Sequence, residues 1–239
     1  MANIQDLKVI EGESTGKTAI ETIYSTLRQG ILEGTLEPEC KLRVEELRLH
    51  FGVGSSTVRE ALSRLLVDKL VVSKEQRGFQ VAPVSLEDFR EITELRILLE
   101  TQAVRESVRK GDDEWEDRLV AAAHQLSKIE VRMKEKGDDR EFVMAWEERN
   151  REFHNALVAA CENSWLLRFR ATVFAHSFRY RQISLKETSL PRDVRAEHQA
   201  IFDAAMARDE DAAARTSEDH IRNSIVSLEA GFSDLRQAI

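Results

Sequence analysis

The sequence predicts a mainly α-helical protein, an N-terminal winged helix-turn-helix followed by an all-helical antiparallel bundle. Three observations predict it. Residues Gly54 to Leu66, GSSTVREALSRLL, place Val58, Ala61, Leu62, Leu65 and Leu66 at i, i+3, i+4, i+7 and i+8, one apolar stripe along a helix. Leu70-Val71-Val72-Ser73 and Phe79-Gln80-Val81 flank the charged, glycine-bearing stretch Lys74 to Gly78, the pattern of a hairpin. From about residue 86 to 235 only helical periodicity is found, and ten glycines and three prolines in 239 residues suit a helical chain.

Each element follows in order. Residues 1–16 mix polar and acidic side chains without periodicity and read as a mobile tail. Thr18 to Glu33 sets Ile20, Ile23, Tyr24, Leu27, Ile31 and Leu32 at helical spacing and stops at Gly34, a good C-cap. Leu36 to Lys41, with Pro38, is a connection. Val44 to Phe51 is a short helix with Leu47 and Phe51 on one face, and Gly52-Val53 turns the chain. The helix over 54–66 starts near Thr57 or a turn earlier, because Thr57 and Glu60 have capping-box spacing. A short helix, a tight turn and a second helix with a polar outer face make a helix-turn-helix. The hairpin adds a wing with Arg77 and Gly78 at its tip.

Pro83-Val84-Ser85 marks a boundary, with Ser85 as the next cap. The chain thus divides into a tail over 1–16, a winged domain over 17–82, a linker over 83–86 and a helical domain over 87–235. Helices are predicted over 86–109, 112–136, 140–161, 164–184, 191–207 and 209–230. Gly111-Asp112-Asp113, Gly137-Asp138-Asp139, Asn163-Ser164 and Arg208-Asp209 separate them, and Pro191 suits a first helical turn. Six such helices make a bundle.

Net charge is −8, which alone argues against a nucleic-acid partner. Residues 17–82, however, carry ten Lys/Arg against nine acids. The winged part is basic only relative to the rest, so affinity would need a locally positive face and two copies per site. An acidic bundle also disfavours a DNA-packaging role. No run of 18 apolar residues and no signal peptide is present, which predicts no membrane partner. Cys40 and Cys161 are far apart with no CxxC, as expected of a chain in a reducing cytoplasm.

Ser55, Ser56, Arg59 and Ser63 fall opposite the apolar stripe. Small hydroxyls allow close approach to a major groove, and an arginine can reach guanine O6 and N7. The competing reading is an ordinary amphipathic surface helix; the short helix and tight turn before it favour DNA.

At these residues a resemblance enters. KLRVEELRLHFGVGSSTVREALSRLLVDKLVVSKEQRGFQVAP resembles the DNA-binding domain of the GntR family of bacterial transcription regulators, through the VREAL core, the leucine-rich helix end and the RG of the wing. The resemblance implies contacts from Ser55, Ser56, Thr57, Arg59, Ser63, Arg77 and Gly78 to a palindromic double-stranded operator bound by a homodimer. One departure stands out. The family has Ser-Arg-Thr-Pro or similar before VREAL; here Gly54 takes the first serine's place and Ser55 the arginine's. That bears on the operator sequence rather than on DNA binding, and Arg59 matches the second family arginine.

The second part resembles the FCD domain, the helical effector-binding domain of the FadR subfamily, through ELRILLETQAV, NREFHNALVAACENSWL and EHQAIFDAAMARDEDAAARTSEDHI. QRGFQVAPVS and GDDEWE are similar to the branch that includes the carbon-starvation-induced regulator.

Asn150 and His154 are four apart on one helix face. His198 shares a stripe with Val194, Ile201 and Ala205, and His220 with Ala213, Thr216 and Ser224. A bundle core is where side chains of facing helices converge, and imidazole suits zinc or nickel. The competing reading for each histidine is a hydrogen-bonded core side chain. The resemblance implies that Asn150, His154, His198 and His220 hold a divalent metal, zinc or nickel, with the neutral Asn150 weakening the hold relative to an aspartate.

It also implies that Arg96, in ELRILLE, faces the carboxylate of a small effector, which a planar guanidinium grips in a fork. The competing reading is an ion pair with Glu100 at i+4. His176 and Arg179, in HSFRYRQ, read as pocket wall, and His50 and His124 as surface or structural. The helix bearing Arg96 follows the linker and is expected to be the one direct covalent route from bundle to winged domain. The function so predicted is a transcription regulator that senses a small carboxylate through a bound metal and changes its operator affinity. The alternative is a metal-dependent all-helical hydrolase with an accessory DNA-binding domain. It lacks an obvious general base beside the histidines and gives the winged domain no role.

Overall fold

The computed structural model describes residues 7, 18–74, 78–133, 139–184 and 193–237. The chain forms two compact units, one from residues 1–89 and 175–187, the other from 90–174 and 188–239.

In the first unit, α1 (Ala19–Leu32) starts at Thr18, whose hydroxyl accepts from the Glu21 backbone N–H. Helix α2 (Val44–Phe51) ends on Gly52 at φ +64°, a left-handed conformation that glycine adopts without Cβ strain. Helix α3 (Ser55–Val67) begins after Gly54, and no side chain caps it. The capping box expected from Thr57 and Glu60 does not form, because the helix is already under way at Ser55. Strands β1 (Lys41–Leu42), β2 (Val71–Lys74) and β3 (Gly78–Val81) make an antiparallel sheet in the order β1-β3-β2. Val71 faces Val81, Lys74 faces Gly78 and Lys41 faces Gln80. β1 lies at the end of the stretch read as a connection, since two residues are too few to show alternation.

The core of this unit joins Ile23, Leu27 and Ile31 of α1, Leu47 of α2, and Val58, Leu62 and Leu65 of α3 with Leu42, Leu70 and Val81. The stripe read from 54–66 is therefore its buried face. Leu7, in the stretch read as a mobile tail, is buried, and a Cβ on Gly30 would collide with it. The other residues of 1–16 lie outside the described residues.

The bundle helices are α4 (Leu86–Lys110), α5 (Asp113–Glu130), α6 (Arg140–Leu157), α7 (Ser164–Ser184), α8 (Val194–Met206) and α9 (Glu210–Gln237). Side-chain caps fix their starts. Ser85 Oγ accepts from Asp88 N at 3.1 Å, Asp112 from Trp115 N at 2.9 Å, Asn163 from Leu166 N at 3.0 Å and Asp193 from Ala196 N at 3.0 Å. α5 stops at Glu130, short of the predicted 136, and α8 starts at Val194; Pro191 lies outside the described residues. Ala103, Val104, Leu119, Leu126, Phe153, Leu157, Ile201 and Ala205 fill the core of the second unit.

The C-terminal half of α7 belongs to the first unit, where Ala175 and Phe178 pack on its core. Among the described residues, no helix is long and apolar enough to cross a membrane.

Candidate functional site

On α3, Ser55, Ser56, Arg59 and Ser63 are exposed and Thr57 is half-buried, so the polar face is presented as its spacing predicts. Ser63 Oγ donates to the Arg59 carbonyl at 2.8 Å, a back-bond to the helix that keeps the hydroxyl close to the backbone. Gly78 is exposed at φ +78° with nothing within 4 Å of where a Cβ would stand. Arg77 lies outside the described residues. At the other end of α3, Asp68 accepts from the Tyr24 hydroxyl at 2.5 Å. Burial, and then this carboxylate, push the Tyr24 phenol up to about 12.

The second site is a cluster of three buried imidazoles in the second unit. His154 comes from α6, His198 from α8 and His220 from α9. One ring nitrogen of each lies within 4.8 Å of the others. Ring centroids are 5.4 Å apart for His154 and His198, 5.1 Å for His154 and His220, and 4.6 Å for His198 and His220. His198 Nδ1 is 2.7 Å from Glu130 Oε1, and His220 Nδ1 is 2.8 Å from Glu197 Oε2. An ionised carboxylate only accepts, so each Nδ1 donates, and in the neutral ring Nε2 then keeps its lone pair.

Nε2 of His154, Nε2 of His198 and Oδ1 of Asn150 are buried with no hydrogen-bond partner among the described residues. Buried polar atoms are ordinarily paired, so orphaned acceptors gathered in a core call for a ligand. Burial holds the His154 imidazole well below its ordinary value, reinforced by His220, His198 and the guanidinium groups of Arg96 and Arg170. It is therefore a neutral donor of the kind a metal requires. Imidazoles oriented by outer carboxylates are the common arrangement around zinc and related ions, and these residues fit such an ion.

Two buried arginines stand beside the cluster. Arg96 has its guanidinium 4.8 Å from the centre of the Phe174 ring and its Nε 3.4 Å from Glu100 Oε1. Arg170 donates from Nε to Glu100 Oε2 at 2.7 Å, and from Nη2 to the His154 carbonyl at 2.9 Å. The i+4 pair read from the sequence is present, but Glu100 is shared and its shorter bond goes to Arg170.

His176 and Arg179, expected as pocket wall, make their bonds within the first unit. His176 Nε2 lies 3.0 Å from the Asp68 carbonyl oxygen, and Arg179 donates to the Ala82 carbonyl, both in the first unit. His50 packs edge-on against Phe51, and His124 is exposed. Sequence reasoning missed Glu130, Glu197 and Arg170. Glu197 adjoins His198 and was within reach of a search for outer carboxylates. Glu130 and Arg170 meet their partners only through the fold.

Residues 19–81 match the family model described as bacterial regulatory proteins, gntR family, and residues 91–223 match the FCD domain. The uncharacterized HTH-type transcriptional regulator BphR of Paraburkholderia xenovorans (strain LB400) is 39% identical over 209 residues, covering 87% of this chain and 84% of the relative. The HTH-type transcriptional repressor GlaR of Escherichia coli (strain K12) is 34% identical over 215 residues, covering 88% of this chain and 96% of that one. Among solved structures, E. coli McbR/YncC superposes with a TM-score of 0.72 at 21% identity, over 91% of this chain and 100% of that one. A putative transcriptional regulator GntR from Rhodococcus sp. RHA1 gives 0.71 at 20% identity, over 90% and 99%. At such identities the two structures show likeness of fold.

Proposed function

Because the chain belongs to the GntR family of bacterial transcription regulators, with an FCD domain, and is a DNA-binding regulator, we propose that its helical unit senses a small carboxylate beside a bound divalent metal. The observation that carries this reading is the histidine cluster: three buried imidazoles, two of them held by carboxylates through Nδ1, with orphaned acceptors on His154, His198 and Asn150. His154, His198 and His220 would hold zinc or nickel, with Asn150 as a weaker fourth group. A bound ion would supply Lewis-acid attraction for a carboxylate oxygen. The chain's own residues do the rest. Glu130 and Glu197 orient His198 and His220, Arg170 fixes the His154 backbone, and Arg96 offers a buried guanidinium for the acid's charge. A dicarboxylate such as glutarate would engage both centres.

The DNA side of the proposal uses Ser55, Ser56, Arg59, Ser63 and the wing, with Thr57 at the helix start. Two copies of the chain on a palindromic operator would supply the affinity that a winged domain with ten basic and nine acidic residues lacks alone. The matched relatives are transcription regulators, so the hydrolase alternative is set aside.

The test is calorimetry of a panel of small organic acids on wild type and Arg96→Ala, each with and without operator. Acid binding in the wild type, its loss in Arg96→Ala, and an acid affinity that differs between free and DNA-bound protein are expected. A tenfold regulatory effect needs about 1.4 kcal/mol of coupling, and reciprocity demands the same factor in both directions. Equal acid affinity in the two proteins removes Arg96 from the site. Equal acid affinity with and without operator shows that the pocket does not regulate DNA binding.

A further inference from the structure

The C-terminal half of α7 makes a set of contacts that neither site accounts for. α7 is one unbroken helix from Ser164 to Ser184. Near its middle, in the second unit, Arg170 is bonded to the His154 carbonyl and to Glu100. Further along, in the first unit, His176 Nε2 stands 3.0 Å from the carbonyl oxygen of Asp68, the residue that ends α3. A carbonyl only accepts, so Nε2 carries the proton. Burial also holds this imidazole below its ordinary value, which keeps it a neutral donor. One turn on, Arg179 donates to the Ala82 carbonyl, and Tyr180 donates to Asp88 Oδ2 at 2.5 Å. The Tyr180 oxygen accepts in turn from Ser85 N at 3.3 Å.

Two features set these contacts apart from incidental packing. Three of the four involve backbone groups, at Asp68, Ala82 and Ser85, so they locate main chain rather than one side-chain rotamer. They also fall at the C-terminus of α3 and on both sides of Pro83-Val84, the segment expected to act as a linker. A linker pinned at Ala82 and Ser85 is not a free hinge. Asp68 is held from a second direction by the Tyr24 hydroxyl, so its position follows from α1 and α7 together.

We propose that α7 ties the recognition helix to the histidine centre. Arg170 anchors it on the backbone of His154, and His176 and Tyr180 anchor its far end on the C-terminus of α3 and on the linker. His176 and Tyr180 are positioning residues for DNA recognition, and α4 is not the single covalent route between the units that its sequence position suggests. The proposal rests on reading α3 as the recognition helix.

The test uses the full-length protein and a short duplex that it selects in vitro, with affinity read by fluorescence anisotropy at one salt concentration. Arg170→Ala removes a contact remote from the exposed face of α3. Transmission through α7 makes it change duplex affinity by about threefold or more in the wild-type background, and by much less in a His176→Ala/Tyr180→Phe background. An equal shift in both backgrounds, or no shift in the wild-type background, overturns the proposal. Circular dichroism checks folding; Arg170→Lys replaces Arg170→Ala, and Tyr180→Phe alone replaces the double variant, if either does not fold. The same two outcomes then decide. Failure of the reading of α3 is distinguishable, because Arg59→Ala would then leave duplex affinity unchanged. Metal content of the same preparations reports separately on the histidine centre.

Discussion

His198 Nδ1 lies 2.7 Å from Glu130 Oε1, and both side chains are buried. The carboxylate fixes the proton on Nδ1 and turns Nε2, which has no hydrogen-bond partner among the described residues, into the donor of the cluster. Glu130 also lies 3.5 Å from the Trp146 indole N–H, so its own orientation is set by two neighbours. Glu130→Gln keeps the shape of the side chain but removes its charge, and its amide can offer Nδ1 a donor instead of an acceptor. The variant is expected to bind zinc about 10–100-fold more weakly than wild type. Chelator competition measures this, and a wild-type affinity would mean that Glu130 does not orient a ligand.

Arg59 is exposed on α3 among Ser55, Ser56 and Ser63. Replacing it by Ala is expected to cost about 1–3 kcal/mol of operator binding and to relax base preference. Loss of an Arg59 contact made only to phosphate would instead weaken all sequences alike. Binding to the selected duplex and to single-base variants at fixed salt separates the two. An Arg59→Ala protein as tight and as selective as wild type would remove Arg59 from the interface.

Gly111 looks in the sequence like a helix stop, and it does follow α4. Its requirement is nevertheless one of space. A Cβ there would overlap the Trp115 indole and come 2.9 Å from Arg208 Nη1. Trp115 is buried, donates its indole N–H to the Leu157 carbonyl at 3.3 Å and carries the Arg208 guanidinium 4.7 Å from its ring centre. Gly111→Ala is therefore expected to destabilise the protein by about 1–3 kcal/mol through overpacking. Urea unfolding measures it; an unchanged midpoint would show that the indole shifts freely.

What the sequence made legible follows one physical line. Periodicity located the buried faces of α1, α3 and the bundle helices, because a helix buries one stripe wherever it packs. Local chemistry located the cap at Ser85, because a cap bonds to its own next turn. The histidines were visible as members of inward stripes, each on its own helix. Contacts between residues far apart in the chain were not legible. Glu130 meets His198 across 68 positions, and His176 meets Asp68 across 108. His176 illustrates this. Its neighbours Arg179 and Tyr180 suggested a polar pocket, whereas all three bond to the first unit. Strand β1 escaped because two residues carry no period.

A pH dependence follows from the buried, neutral His154. Its imidazole is held well below the ordinary value of 6.5 by burial first, and then by His220, His198, Arg96 and Arg170. The unfolded chain takes up this proton near pH 6.5, while the folded, metal-free chain does not. Below that pH the unfolded state binds more protons, so the stability of the metal-free protein falls as pH falls. One such residue contributes at most about 1.4 kcal/mol per pH unit, until the folded form also protonates. The carboxylates of the chain add their own slope at lower pH, so the comparison that isolates His154 is between wild type and His154→Gln, both stripped of metal. Urea unfolding at pH 7.5, 6.5 and 5.5 is expected to show the wild type losing more stability than the variant between the last two values. Parallel losses would show that His154 is charged in the folded protein, and that the cluster is not a preformed set of neutral donors.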